Sequence, residues 1–323
     1  MKSFIKDKNR TSLSHCFAIC AYKESPYLEE CIRSIKGQSM KSRVIMVTST
    51  PCEYIERLAV KYRVPLFVRE GESSLKEDWN FAYNCADTEW VTIAHQDDRY
   101  GKSYVKYMTE KIEKYNNDCC GNCCGEDEEK ACCVDDDFDT EETEERNCRN
   151  EKTKYIPYMY FTDYRPIKDG KPATDVNCRI RKLLRSPMRF KCFASSNFWR
   201  RRVLSLGNSI CCPTVTYNKK LLGRSVFTSD MAFNIDWDTF LKLSDEKVVK
   251  HSEGFDKVKY VWAYSPRVLT FYRVHDGATS KEFIENHGRE AEDTAMMNKF
   301  WPKKFTKFIM KFYVKAYDTY RRD

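Results

Sequence analysis

Trp90-Val91-Thr92-Ile93-Ala94-His95-Gln96-Asp97-Asp98 is the stretch from which the rest of the chain can be read. Trp90 to Ala94 is an apolar run that reads as a buried strand. It ends abruptly in a histidine, an amide and two adjacent carboxylates. In an open α/β sheet, the carboxyl ends of the strands are where ligands bind. Two neighbouring carboxylates repel unless a proton or a cation lies between them. A hard divalent cation, Mg²⁺ or Mn²⁺, itself bound to phosphates, suits such a pair. Taken alone, the pair reads more simply as a solvated acidic turn, so the flanking sequence has to decide.

Upstream, strands and helices alternate. His15 to Ala21 reads as a first strand and Arg43 to Thr48 as a second, with Pro65 to Val68 a third. Between them, Leu28, Cys31, Ile32 and Ile35 fall at helical spacing and Gly37 ends the helix, with Ser25 as cap and Pro26 at the first position. Thr50-Pro51-Cys52-Glu53 reads as a capping box before a helix burying Ile55, Leu58, Ala59 and Tyr62. Leu75 to Ala86 is a third helix. Strands separated by helices at this interval mean βαβ units in a mostly parallel, doubly wound sheet. Strands one and four therefore send Ala21 to Glu24 and His95 to Asp98 to the same edge. The chain has no Gly-x-Gly-x-x-Gly after strand one and no Gly-Lys-Ser/Thr loop. A bound nucleotide would thus rely on a metal and on basic side chains.

The 323 residues carry a net charge of +8, unevenly placed. From Asp118 to Glu151 there are fourteen acidic and three basic residues, a local balance of −11 that leaves +19 on the remainder. A body this basic suits an anionic partner: nucleotide phosphates, an acidic membrane surface or nucleic acid. The N-terminal stretch Met1 to Arg10 lacks the apolar core of a secretory signal. No apolar run approaches the roughly eighteen residues that span a membrane. Several of the sixteen cysteines, among them Cys16, Cys20, Cys31 and Cys85, lie in apolar runs as small hydrophobes, and reduced thiols in a cytoplasmic protein are the expectation.

Phe17 to Gln38, with Tyr22-Lys23-Glu24 between strand and helix, resembles the opening of family 2 glycosyltransferases, although Lys23 stands where that family has asparagine. Asp78-Trp79-Asn80-Phe81-Ala82 is similar to the family's helix before the metal motif, and His95-Gln96-Asp97-Asp98 falls on the motif itself. The resemblance implies an α/β fold of the GT-A type, a nucleotide-sugar donor, a divalent cation (Mn²⁺ or Mg²⁺) and an inverting transfer to a sugar or lipid-linked acceptor. It places Ala21, Tyr22, Glu24 and Asp97 at the donor and Asp97 and Asp98 at the metal.

Two further stretches extend the resemblance. Asn234-Ile235-Asp236-Trp237-Asp238-Thr239-Phe240-Leu241 reads as a helix with Asp236 at its N-terminus. An aspartate there is commonly an N-cap; in the family an Asp at this place takes the proton from the acceptor hydroxyl, which assigns Asp236 as base with Asp238 as fallback. Val268 to Val274 reads as a strand followed by a turn at Asp276-Gly277, with Arg273 and His275 two apart on one face. The family's Arg-x-His pattern puts Arg273 at the donor phosphates and His275 at the metal. Leu206 to Tyr217 resembles a Gly-Asn-x-Ile segment near the acceptor in one bacterial subgroup; without the family it is a turn before a strand.

Other segments stand apart. Cys119, Cys120, Cys123, Cys124, Cys132, Cys133 and Cys148 in the acidic insertion (117–152) could ligate a soft metal, but few apolar residues and no histidine accompany them, which favours a disordered insertion. Lys168 to Arg202 is basic and irregular; most of its charges read as a solvated helix face, with nucleic-acid binding as the alternative. The tail 281–323 alternates aromatics with lysines; Phe305, Phe308, Ile309, Phe312 and Tyr313 form a helical stripe that could meet an anionic membrane or pack on the body. The expected organisation is a catalytic domain over 1–280 and this helical segment, located in the cytoplasm or at the inner face of the membrane, with no nucleic-acid partner. The rivals are a non-catalytic nucleotide-sugar fold that binds membrane or nucleic acid, and a nucleotidyltransferase, which would need a phosphate-cradling basic signature after strand one.

Overall fold

The computed structural model of the protein describes residues 13–117, 119–120, 153–168, 170–173, 176–245, 257–275 and 288–314. In chain order the strands are β1 (His15–Ala21), β2 (Arg43–Thr48), β3 (Leu66–Val68), β4 (Trp90–His95), β5 (Arg99–Tyr100), β6 (Cys119–Cys120), β7 (Thr153–Lys168), β8 (Lys171–Pro172), β9 (Thr216–Asn218) and β10 (Lys257–Arg273). The helices are α1 (Leu28–Lys36), α2 (Glu53–Tyr62), α3 (Leu75–Cys85), α4 (Tyr104–Asn117), α5 (Val176–Arg185), α6 (Lys191–Ala194), α7 (Asn197–Leu204), α8 (Lys219–Leu222), α9 (Ile235–Ser244), α10 (Gly288–Asn298) and α11 (Lys303–Tyr313).

The strands form one sheet in the order β3-β2-β1-β4-β9-β7-β10-β5. β3, β2, β1 and β4 pair in parallel, and so do β7 and β10. This is the α/β architecture expected of a GT-A fold, a largely parallel central sheet flanked by helices. Two antiparallel insertions depart from simple βαβ winding: β9 lies between β4 and β7, and β5 pairs with β10. Because side chains alternate along a strand, β1 divides its residues between two cores. Cys16 and Ala18 pack on one face with Trp79, Tyr83, Ile93, Trp237 and Phe240. Phe17 and Ile19 pack on the other with Leu28, Ile32, Tyr104 and Met108.

Several expectations need correction. Tyr27, not Ser25, holds the cap position of α1, because the Ser25 hydroxyl is bonded to Asp97 Oδ1 at 2.8 Å. No capping box forms at α2: its cap is Cys52 with no side-chain bond, and Thr50 Oγ1 instead accepts from the Lys23 backbone N–H at 2.7 Å. The strand expected at Val268 to Val274 is the end of the much longer β10, which pairs with the almost equally long β7 along most of its length. The basic stretch 168–202 is largely helical, and two of its arginines are core groups. Arg185 bonds Asp163 Oδ1 at 2.8 Å, and Arg200 lies buried against Tyr158 and Trp262. The Asp276-Gly277 turn, the N-terminal stretch before residue 13, the tail beyond residue 314 and the cysteine-rich insertion, apart from its first residues, lie outside the described residues.

Candidate active site

The carboxyl ends of β1 and β4 open into a cavity of about 1520 Å³. Ala21 and Tyr22 line it from β1, and His95, Gln96, Asp97 and Asp98 from β4. Gln96 ties the two ends together: its Oε1 accepts from the Tyr22 N–H at 2.9 Å and its Nε2 donates to the Tyr22 carbonyl at 3.0 Å. The Tyr22 ring is left 45% exposed beside the cavity. Glu24 departs from expectation. It sits on the exposed turn after β1 and does not line the cavity.

Asp97 and Asp98 differ in surroundings. Asp97 is half-buried; its Oδ1 accepts from Ser25 and its Oδ2 lies 3.3 Å from His275 Nε2. Asp98 is only 2% exposed. Its Oδ1 accepts from the Arg273 backbone N–H at 2.9 Å, while Oδ2 has no hydrogen-bond partner. Burial, and secondarily the Asp97 charge, push the Asp98 carboxyl well above the ordinary carboxylate range. His95 Nδ1 lies 4.0 Å from Asp98 Oδ2, but burial lowers that imidazole to about 4, so this approach is not an ion pair near neutral pH. Arg273 does not reach freely toward a ligand. Its Nη2 bonds Glu30 Oε2 at 2.5 Å, its Nε donates to the Asp97 carbonyl at 2.9 Å, and the guanidinium lies 4.3 Å over the Tyr27 ring. His275 meets the same ring at 4.8 Å. Arg273 thus braces the turn that carries both aspartates.

A buried carboxylate oxygen without a partner is costly unless a proton or cation satisfies it. Asp98 Oδ2 therefore fits a divalent cation. Among the described residues, no three His, Cys, Asp or Glu side chains converge to enclose an ion. That donor set suits a cation that arrives with phosphate oxygens of its own rather than one caged by protein.

Across the cavity lies the N-terminus of α9. The cap is Asn234, and Asp236 occupies the first turn, so it is not the N-cap residue. Asp236 Oδ1 accepts from the Trp237 N–H and Oδ2 from Asn208 Nδ2, both at 2.8 Å. Burial raises its carboxyl to about 6, with those two donors pulling back. Asp238 faces the other way, into Lys299 Nζ at 2.5 Å and Lys242 Nζ at 3.0 Å, and is structural.

Two supports of Asp236 are not evident from local sequence. One is the loop carrying Asn208. Arg185, held by Asp163, donates to the Ser209 carbonyl, and Gly207, at φ 129°, lies so close to Tyr313 that a Cβ there would meet the ring at 2.6 Å. The other is Glu292 on α10. Its carboxylate accepts from the backbone N–H groups of Ala232, Phe233 and Asn234 at 2.7 to 2.9 Å, fixing the approach to α9. The resemblance had set the Gly207-Asn208 segment near the acceptor, though not on Asp236; an acid in a helix far along the chain gave no sign that it would hold the approach to α9. The cavity wall also bears Lys168 and Arg181, and Lys76 and Arg289, which pair with Asp230 and Asp293 of the same wall.

Comparison with known proteins bears on the part that carries the aspartate pair. Residues 16–157 match the family described as Glycosyl transferase family 2. The match runs from β1 into β7, so this part of the chain is similar to that family. No curated protein matches the chain. Among solved structures, S. aureus TarS 1-349 in complex with UDP-GlcNAc is 13% identical, with a TM-score of 0.47 over 95% of this chain and 73% of that one. The mannosyltransferase PcManGT from Pyrobaculum calidifontis, in complex with GDP-Man and Mn2+, is 13% identical, with a TM-score of 0.49 over 94% of this chain and 69% of that one.

Proposed function

We propose that the protein is a glycosyltransferase that moves a sugar from a nucleoside-diphosphate sugar to an acceptor hydroxyl with inversion. The observation that carries this reading is that Asp97, Asp98 and Asp236, supplied by distant parts of the chain, line one cavity beside Ala21 and Tyr22. The family match over residues 16–157 supports it.

The donor lies with its nucleoside against Ala21 and Tyr22 and its diphosphate toward Asp97 and Asp98. Asp98, through its unpartnered Oδ2, and Asp97, with His275 beside it, are the residues that would hold a divalent cation, Mn²⁺ or Mg²⁺. When bound, the cation offsets the charge that develops on the departing nucleoside diphosphate. Arg273 keeps the Asp97-Asp98 turn in place through its bonds to Glu30 and to the chain. Asp236 takes the acceptor proton as the acceptor oxygen bonds to the anomeric carbon. A carboxyl raised to about 6 is ionised at neutral pH yet more basic than an ordinary carboxylate, as the task requires. A single base opposite the leaving group suits direct displacement.

The resemblance of Leu206 to Tyr217 to a bacterial subgroup supports a role in cell-surface polysaccharide or glycolipid synthesis. A cytoplasmic setting agrees with free thiols at the nine cysteines whose side chains are described, several of them in the core.

The test is nucleotide release from a panel of UDP-, GDP- and dTDP-sugars, with Mn²⁺ and with chelator. We expect metal-dependent release from one donor class and its loss in Asp98→Asn, which keeps the oxygen that bonds Arg273. A chain that releases no nucleotide from any donor, with or without acceptor sugars, would instead be the non-catalytic member of this fold.

A further inference from the structure

Two helices expose apolar stripes that the interior does not use. On α5, Val176, Ile180 and Leu183 fall at i, i+4 and i+7, within about 60° of arc on a helix of 3.6 residues per turn. On α11, Phe305, Phe308 and Phe312 fall at i, i+3 and i+7, within a similar arc. All six are between 43% and 72% exposed. Each helix is anchored through its other side: α5 by buried Arg185, α11 by buried Thr306 and Met310. The stripes are therefore outward faces of fixed elements.

Both helices border the cavity. Val176, Asn177, Cys178 and Arg181 of α5 line it, and so do Phe312 and Tyr313 of α11. Their charge is of one sign: neither helix contains an aspartate or glutamate. Exposed lysines 304, 307 and 311 flank the phenylalanines, and exposed Arg179 flanks the aliphatic stripe. Lys182 is already bound to Asp163 at 3.1 Å and adds less.

We infer that α5 and α11 form a membrane-docking surface that seats the protein on an anionic lipid bilayer with its cavity mouth toward the lipid. Apolar side chains in a row, edged by cations, match the boundary between acyl chains and acidic headgroups. A nucleic acid would meet the cations but gain nothing from exposed valine, isoleucine and leucine. A second copy could offer the acidic groups of its Asp118 to Glu151 stretch, but those carboxylates would answer only the cations and leave the six exposed apolar side chains in water. Neither helix is long and apolar enough to cross a bilayer, and none is among the described residues. Joined to the glycosyl-transfer reading, on which this last step rests, the surface puts the acceptor in the membrane as a lipid-linked hydroxyl.

The experiment is co-sedimentation of the full chain with vesicles, and it needs no turnover, so its failure is separable from failure of the transfer reading. Vesicles of phosphatidylcholine with about one third phosphatidylglycerol are compared with phosphatidylcholine alone. The chain should bind the anionic vesicles, less so at high salt. Binding should fall about tenfold or more in Phe305→Ser/Phe308→Ser and in Ile180→Ser/Leu183→Ser. These positions are exposed, so the melting temperature should be retained in both. No binding of the wild-type chain to anionic vesicles overturns the inference, as does binding that both variants preserve. A wild-type dimer that the same variants convert to monomer, without vesicle binding, overturns it in favour of a self-association face.

Discussion

At the scale of single residues, the candidate site depends on two carboxyl groups treated oppositely. Asp98 is buried with one oxygen bonded and one not, whereas Asp236 is half-buried with both oxygens bonded by N–H donors. The second arrangement predicts a pH profile. With Asp236 raised to about 6, the base is protonated below that pH, so kcat/KM should fall roughly tenfold per unit as pH drops under 6. Asn208→Ala removes a donor that favours the ionised form, so the midpoint of that profile should move upward, with a lower kcat. A profile unchanged by the substitution would remove Asp236 as the titrating base. Stability carries the opposite sign. A carboxyl whose folded value lies above its unfolded one binds protons more tightly when folded, so its contribution is present below about 4 and is lost as pH rises through about 6. Asp236→Asn should therefore fold well while losing transfer. Asp97 and Asp98 at a strand end and Asp236 in a helix's first turn could be placed from local signals, but those signals alone gave an acidic turn and an N-cap; it was the resemblance to family 2 glycosyltransferases that singled the three out, and the structure sets them around one cavity. Gln96, though part of the same stretch, could not be given its role: its partner is the peptide of Tyr22, which a parallel pairing brings alongside.

At the scale of elements, the βαβ half was read almost residue for residue, since its apolar periods are unbroken and its turns are short. β1, β2 and β4 begin where expected. The departures are at helix starts, where tertiary bonds took the capping side chains: Ser25 serves Asp97, and Thr50 serves the Lys23 N–H. The basic stretch, irregular in pattern but read for most of its charges as a solvated helix face, is largely helical; charge masks the period of α5, whose stripe of Val176, Ile180 and Leu183 faces outward. α10 had no local signature of function, yet its Glu292 holds three backbone N–H groups at the entrance to α9. Glu292→Ala leaves those donors to water or unpaired, a loss of about 1–3 kcal/mol of stability. Since the loop sets the position of Asp236, kcat should fall with KM for the donor little changed. A drop in donor affinity without a change in kcat would show that the loop serves the donor instead.

At the scale of the whole molecule, the sheet brings together what the chain keeps far apart. β10 returns beside β7 and hands Arg273 to the turn after β4. The C-terminal helices contribute Met296, Met297 and Met310 to the core shared by α3 and α9, so of the two readings of the tail the described part takes the one in which it packs on the body, beside the helix that carries Asp236. These long-range pairings could not be read from local periodicity. The proposed nucleotide site is therefore a property of the folded whole, and its occupancy would be measurable as stabilisation. The most direct test of the account is the melting temperature with UDP or GDP, each with Mn²⁺ and with chelator, in wild type and in Asp98→Asn. The account predicts that one nucleoside diphosphate with Mn²⁺ raises the melting temperature by roughly 2–4 °C when well above its Kd. It also predicts that chelator or Asp98→Asn abolishes the rise. Equal stabilisation with chelator and in the variant, or none with either nucleotide, would contradict a metal-bridged donor site at Asp97 and Asp98.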